Sequence, residues 1–283
     1  VGLSSPDLQE KKYAMSHKRS DLIFNMGYVI LSGKREGEFM DIKDYIFKNQ
    51  EYFEDFITRS TYHSNGIEGN TLSYAETYAI LFNDNEFQVS AKPREIYEAI
   101  NHKYAVNYIL NHLDEELSER IIKDTAILIN RNISEISGYR TVSVRIRGAE
   151  HIPPEPVQIP QQMMYFVYNY NHTEFDSVYQ KIAQTHLRFE QIHPFEDGNG
   201  RTGRLLLNYE LLKNNLAPVV IPKDRRSDYF EMLGNNDSVA LEKFLEELSM
   251  QEQERIRTMP VKESVVETLK ENKRKAEAKD AEN

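Results

Sequence analysis

The sequence contains no cysteine. Disulfides, thiolate catalysis and cysteine-ligated zinc or iron–sulfur centres are therefore excluded, and any metal must sit on carboxylates or imidazoles. A positive charge balance is also missing. Thirty-five basic side chains face 45 acidic ones, for a formal charge of −10 and an isoelectric point near 5.4. This speaks against a general nucleic-acid binder, which draws its affinity from basic patches on phosphates, yet it leaves room for a local basic pocket. No apolar run approaches the length that spans a bilayer, and VGLSSPDLQEKKYAMSHKRS at the start lacks the apolar core of a signal peptide. The expectation is a cytoplasmic protein without membrane or nucleic-acid partners. Because the chain starts at Val1 rather than Met, a processed or trimmed start stays open. Internal repeats and an evident interdomain linker are lacking as well.

Helical period dominates what is present. The 283 residues, 40% apolar and 28% charged, suffice for one large or two modest domains with a sizeable core. Ile96, Ile100, Tyr104 and Tyr108 repeat every fourth residue, widened by Ala99, Ile109 and Leu113, which predicts a helix with that stripe toward the core. Leu117, Ile121, Leu128 and Ile129 predict a second helix, Val178, Ile182, Ala183, Leu187 and Phe189 a third, and RLLLNYELLKNN from Arg204 a fourth. Ser73-Tyr-Ala-Glu76 has capping-box form and starts a helix just after EGNTL. One segment departs from the pattern. In TVSVRIR, residues 141–147, Val142, Val144 and Ile146 alternate with polar side chains ahead of Gly148, which predicts a short strand, half of a hairpin. By itself this is a surface hairpin, although a lone edge can also pair with a peptide by strand addition. HIPPEPVQIP, residues 151–160, carries four prolines and predicts an extended connection without regular helix. From about Lys262 the chain is charge-dense, as in a solvated helix that frays. The expected fold class is all-α with one short β-hairpin.

The densest chemistry lies in HPFEDGNGRTGR, residues 193–204. With one helix ending near His193 and another starting near Gly200, Gly198 and Gly200 let consecutive amides turn toward an anion, and the second helix adds the positive end of its dipole. Arg201 and Arg204 lie three apart on one helical face and bring two guanidinium forks to the same place. Asp197 ahead of them suits Mg²⁺, which is commonly held by one carboxylate together with phosphate oxygens and water. His193, with an ordinary pKa near neutrality, is placed as a general base. The set reads as a phosphoryl or nucleotidyl transfer site. A rival is zinc on His186, Glu190 and His193, spaced i, i+4 and i+7 on one helical face, but that reading leaves the glycines and arginines without a role.

The stretch resembles the signature of the Fic domain: histidine, any residue, phenylalanine, any residue, acid, Gly-Asn-Gly-Arg, two residues, arginine. GYR at 138–140, the segment TVSVRIRGAEHIPP, the approach HLRFEQIHPF and RSDYFEML downstream follow in the order usual for that family. The resemblance implies an all-helical fold that moves AMP from ATP onto a hydroxyl of a target protein and releases pyrophosphate. In that light His193 takes the proton of the attacking Ser, Thr or Tyr, Phe195 anchors the loop, Asp197 holds Mg²⁺, and the amides of Gly198, Asn199 and Gly200 form the anion hole. Arg201 and Arg204 hold the β- and γ-phosphates, while Tyr229 and one of Asn235 or Asn236 contact adenine and ribose. The hairpin becomes a flap whose edge, through Val142, Val144 and Ile146, pairs with the target's backbone; main-chain pairing implies broad substrate tolerance.

A second motif, STYHSNGIEGN at 60–70, is by itself a polar turn with a helix-weakening Gly66. Beside a Fic core, Ser64-x-x-x-Glu68-Gly-Asn resembles the family's inhibitory motif, whose glutamate pairs with the second arginine of the signature, here Arg204, and so displaces the γ-phosphate. A bidentate carboxylate–guanidinium contact is strong and oriented enough for that role. The domain plan expected is an N-terminal helical region at 1–59, the Fic domain at 60–245 with inhibitory motif 64–70, flap 141–152 and signature 193–204, and a charged helix and tail at 246–283. The N-terminal helices and the tail are candidates for partner or homodimer contacts. Two alternatives accompany self-inhibited transfer: removal of AMP by a water aligned on Glu68, and nucleotide sensing without turnover.

Overall fold

The computed structural model describes residues 41–82, 89–146 and 151–259, and among these residues there are helices and no strand. Side-chain caps start half of them. Helix α1 spans Ile42–Lys48. Asn49 then accepts a hydrogen bond from the Tyr52 amide and opens α2, Gln50–Ile67, which runs unbroken through residues 59 and 60. Helix α3, Tyr74–Phe82, begins with the reciprocal pair expected of a capping box: Ser73 N–H to Glu76 at 2.8 Å and Glu76 N–H to Ser73 Oγ at 3.2 Å. Pro93 sits in the first turn of α4, Pro93–Asn111, where its missing N–H is not needed. Ser118 caps α5, Glu119–Asn130, and Ser177 caps α7, Val178–Ile192. Between these lies α6, Ile159–His172. Helices α8, Asn199–Lys213, α9, Arg226–Gly234, and α10, Ser238–Thr258, complete the order. No described helix is long and apolar enough to cross a membrane.

The described residues from Ile42 onward pack as one unit around α8. That helix is buried on nearly every side, with α7, α4, α5 and α2 against it, and α10 lies along α7. Leu207 and Leu211 of α8 join Ile67, Ile182, Leu187, Tyr229, Leu241 and Leu245 in one core cluster, so the end of α2 is packed into the same core as the start of α9 and α10. Fully burying each such side chain contributes about 1.5–3 kcal/mol before entropy is subtracted. A helix this central ordinarily carries apolar residues all round. Its first two turns instead bury Arg201, Arg204 and Asn199, and this polar end is where the site forms.

Three sequence expectations need correction. On α4 the predicted stripe is only in part the buried face: Ala99, Ile109 and Leu113 are buried, but Tyr104 is exposed and Ile96, Ile100 and Tyr108 are half-buried, while Glu95, Glu98, Asn101 and His102 are buried. Each inward polar group has a partner there: Glu98 lies 3.5 Å from Arg201 Nη1 of α8, Glu95 accepts from Thr71, Asn101 donates to the Arg131 carbonyl and His102 is hydrogen-bonded with Thr61. The predicted strand at Val142, Val144 and Ile146 forms no ladder among the described residues, and its turn, residues 147–150, lies outside them. Pro153 and Pro154 on the returning segment lack the N–H groups a ladder would use. HIPPEPVQIP is not free of helix, since Pro156–Gln158 form a 3₁₀ turn and α6 starts at Ile159 with Pro160 in its first turn. The charged tail from Lys262 onward lies outside the described residues.

Candidate active site

Helix α7 ends at Ile192, and His193 caps it in the left-handed region, φ 48° and ψ 61°, a conformation that a non-glycine residue keeps only when its surroundings impose it. Arg140 imposes it. The Arg140 N–H donates to Pro194 O at 2.9 Å, Nε to His193 O at 2.8 Å, Nη1 to Val142 O at 2.9 Å and Nη2 to Pro154 O at 2.5 Å. One buried guanidinium thus ties the histidine loop, the flap segment and the proline segment together. Downstream, the Asn199 side chain closes residues 195–199 into a ring, accepting from Phe195 N–H at 2.9 Å and donating to Phe195 O at 2.8 Å, with the Phe195 ring fully buried beneath. Gly198, φ 79°, caps α8, and a Cβ there would lie 2.5 Å from the Asn130 amide nitrogen that holds Asp197 O.

The two arginines meet different partners: Arg201 faces Asp197 and Glu98, and Arg204 the end of α2. Arg204 is buried and donates from Nε to Ser64 Oγ at 3.0 Å, and from Nη2 to Ser64 O at 2.9 Å and to the Glu68 carboxylate at 2.7 Å. A Cβ on Gly200 would collide with the same Glu68 oxygen, so that carboxylate sits at the N-terminus of α8, where helix amides and dipole favour an anion. Arg204 Nη1 and Arg201 Nε and Nη1 are buried without hydrogen-bond partners. Arg201 Nη1 has only a long ion pair, 3.5 Å to Glu98 Oε1; buried donors left short of hydrogen bonds are costly, and an anion of several oxygens would satisfy them.

Asp197 Oδ1 accepts from Gly198 N–H at 2.6 Å and Arg201 Nη2 at 3.1 Å, and Oδ2 from Arg94 Nη2 at 2.7 Å. Burial pushes its carboxyl up, but Arg201 and Arg94 outweigh this and hold it below the ordinary value. An ionised carboxylate beside an anion cradle fits a hard divalent cation. No cluster of three metal-binding side chains occurs among the described residues, so phosphate oxygens and water would supply the remaining ligands. The zinc reading loses its geometry: His193 leaves the helix at the cap, and His186 Nε2 is engaged with Tyr229 Oη at 2.6 Å.

Burial lowers the His193 pKa to about 4, with the Arg140 charge adding to it, so the imidazole is neutral near pH 7 and free to accept a proton. Beneath it, burial raises Glu190 to about 8 and lowers His186 to about 3. Tyr229 needs correction as an adenine contact. It is wholly buried and bonded to His186, leaving no ring face for a base, whereas Phe230 beside it is half-buried, with the Arg226 guanidinium 4.4 Å from its ring centre. Asn236 is exposed and accepts from Gln191 Nε2 at 2.9 Å, next to the histidine loop. Val142 is exposed, and Val144 and Ile146 are half-buried. Sequence reasoning missed Arg94, Glu98, Asn130 and the role of Arg140. Only Arg140 left a trace, in GYR.

Residues 116–211 match the model of the Fic/DOC family. The chain is 34% identical over 194 residues to "Protein adenylyltransferase Fic" of Drosophila grimshawi, an alignment covering 66% of this chain and 38% of the fly protein. It thus spans well under half the length of that relative. A Fic domain containing signaling protein from Bacteroides thetaiotaomicron superposes with a TM-score of 0.69 at 23% identity, covering 81% of this chain and 94% of that one. A Fic family protein from Desulfovibrio desulfuricans gives 0.64 at 26%, covering 77% and 69%.

Proposed function

Because the chain carries a Fic domain, we propose that it transfers AMP from ATP to a Ser, Thr or Tyr hydroxyl of a target protein, and that Glu68 holds it in a self-inhibited state. The observation that carries the reading is the Glu68 carboxylate on Arg204 at the N-terminus of α8, where Arg204 Nη1 is buried without a hydrogen bond. An acid occupies the position that a phosphate's oxygens suit best.

The reaction follows from this chain's groups. Neutral His193 takes the proton of the target hydroxyl as its oxygen bonds to the α-phosphorus, the bond from that phosphorus to the bridging oxygen breaks, and pyrophosphate departs on Arg201 and Arg204. Asp197 would hold Mg²⁺, which supplies charge neutralisation on the phosphates. The loop amides of Gly198, Asn199 and Gly200 stabilise the charge that develops on the transferred group. Val142, Val144 and Ile146 offer the segment beside which the target chain docks, and Asn236 with Phe230 lies at the nucleoside end. Incubating protein carrying Glu68→Gly with α-labelled ATP and a cell lysate is expected to label protein hydroxyls with AMP and to release pyrophosphate. Release of free AMP without protein label would overturn transfer. Glu68 engages Arg204 through one carboxylate oxygen, which also suits alignment of a water for removing AMP. Loss of AMP from pre-labelled target incubated with wild-type protein, read by mass spectrometry, tests that second direction.

Arg140→Met keeps the buried volume but leaves three carbonyl acceptors without their donor. At about 1–3 kcal/mol for each unsatisfied buried group, the melting temperature should fall by several degrees. Below that temperature AMP transfer should drop at least tenfold, since the His193 loop loses its tether. Calorimetry and a labelling assay separate the two effects. Full transfer in a less stable protein would limit Arg140 to supporting the fold.

A further inference from the structure

Asp197 is the one carboxylate on the histidine loop placed to ligate a divalent cation, and each of its oxygens is already engaged. Oδ1 is committed within the loop to Gly198 N–H and Arg201, both of which belong to the anion cradle itself. Oδ2 is taken by Arg94, which comes from the first turn of α4, 103 residues earlier in the chain. Resting on the reading of Asp197 as the cation ligand, we propose that Arg94 guards the cation site, competing with the metal for Asp197 Oδ2.

The geometry of Arg94 suits a guard rather than a fixed strut. Its side chain is 56% exposed, against 2% for Arg201, so it leaves Asp197 without opening the core. It also has a second seat. Arg94 Nε donates to Glu98 Oε1 at 3.0 Å, one turn along the same helix, and Glu98 is buried with its other oxygen held by Asn70 Nδ2 at 2.8 Å. When Arg94 lets go of Asp197 it keeps this partner, so release loses one exposed ion pair and exposes no unpaired charge. Asn70 stands two residues after Glu68, at the end of the segment that also holds Arg204. The inhibitory segment therefore touches the site at two places: directly at the phosphate-binding arginine, and through Asn70 and Glu98 at the arginine that covers the metal ligand.

Calorimetric titration of ATP into Glu68→Gly protein, with and without Mg²⁺, gives the factor by which the cation tightens binding. Adding Arg94→Ala is expected to increase that factor about two- to fivefold, the scale on which an exposed ion pair competes. Arg94→Lys, which keeps the charge but not the fork, should fall between. Asp197→Ala, in the same background, should abolish the factor. If Asp197→Ala leaves it intact, the cation is not held by Asp197 and the guard fails with that reading. If Asp197→Ala removes it but Arg94→Ala leaves it unchanged or lowers it, Asp197 stands as the ligand and Arg94 is a spectator or a phosphate contact, which overturns the guard alone.

Discussion

Replacing Glu68 by glycine is expected to raise AMP self-labelling by roughly 10- to 100-fold over wild type. The range follows from one charge-assisted contact of about 1.5–3 kcal/mol that ATP must otherwise displace. Because the Glu68 side chain is 36% exposed, solvent screens part of that energy, and the lower end of the range is the better expectation. Glycine at 68 should not unwind α2. The helix is capped independently by Arg226 Nε on Ile67 O at 2.6 Å, and the chain turns at Gly69, φ 98°. Glu68→Gly protein should therefore melt close to wild type. Adding His193→Ala should reduce labelling at least 100-fold, the usual contribution of a positioned base. Labelling by Glu68→Gly no greater than wild type would remove the switch from the proposal. Equal labelling with and without His193 would remove the base.

Stability should peak near pH 6.5 and fall steeply toward pH 4.5. Burial lowers four histidines: His63 and His193 to about 4, His102 and His186 to about 3. Below their unfolded value of 6.5 the unfolded chain binds protons that the folded chain refuses, so the stability they contribute is present above pH 6.5 and lost as pH falls. Glu190 has the opposite sign. Its folded carboxyl keeps a proton up to about pH 8 while the unfolded one ionises above 4.5, so its contribution is lost as pH rises between these values. Four groups against one set the direction from pH 4.5 to 6.5, and Glu190 alone sets a gentler decline from 6.5 to 8. Each proton is worth on the order of 1 kcal/mol per pH unit. Glu95, held down by Thr71, and Asp197, held down by its arginines, give way only at lower pH, which keeps this window free of them. Urea unfolding across the window measures the slope. A flat profile would contradict the buried neutral histidines, and His186→Gln should make the slope shallower while Glu190→Gln removes the alkaline decline.

Those buried titratable groups show where sequence reasoning stopped. The capping box at Ser73, the loop bounded by His193 and Gly198, and the shared face of Arg201 and Arg204 were readable, because each depends on residues within one or two helical turns. The buried face of α4 was readable only in part: an i, i+4 stripe of Ile and Tyr looked like core, and nothing in the spacing singled out Glu98 or His102. A burial preference derived from polarity fails where a neighbouring element supplies the polar partner, as Arg201 does for Glu98 and Thr61 for His102. Tyr229 was assigned to the base for a related reason. One residue of register along α9 decides whether a ring faces His186 or the opening, and the motif does not specify it.

The sequence by itself therefore determined the helical class and the glycine-bounded turn that carries His193, Asp197, Arg201 and Arg204, because backbone angles at glycine, caps and i, i+3 spacing are local properties. Only the tertiary structure decided which partners those charges meet. Glu68 reaches Arg204 from 136 residues away, Arg94 reaches Asp197 from 103, and Arg140 reaches His193 from 53. Each of these contacts depends on how α2, α4 and the flap segment cross the end of α8. That crossing is set by packing of the whole core around one central helix, which no stretch of sequence encodes alone.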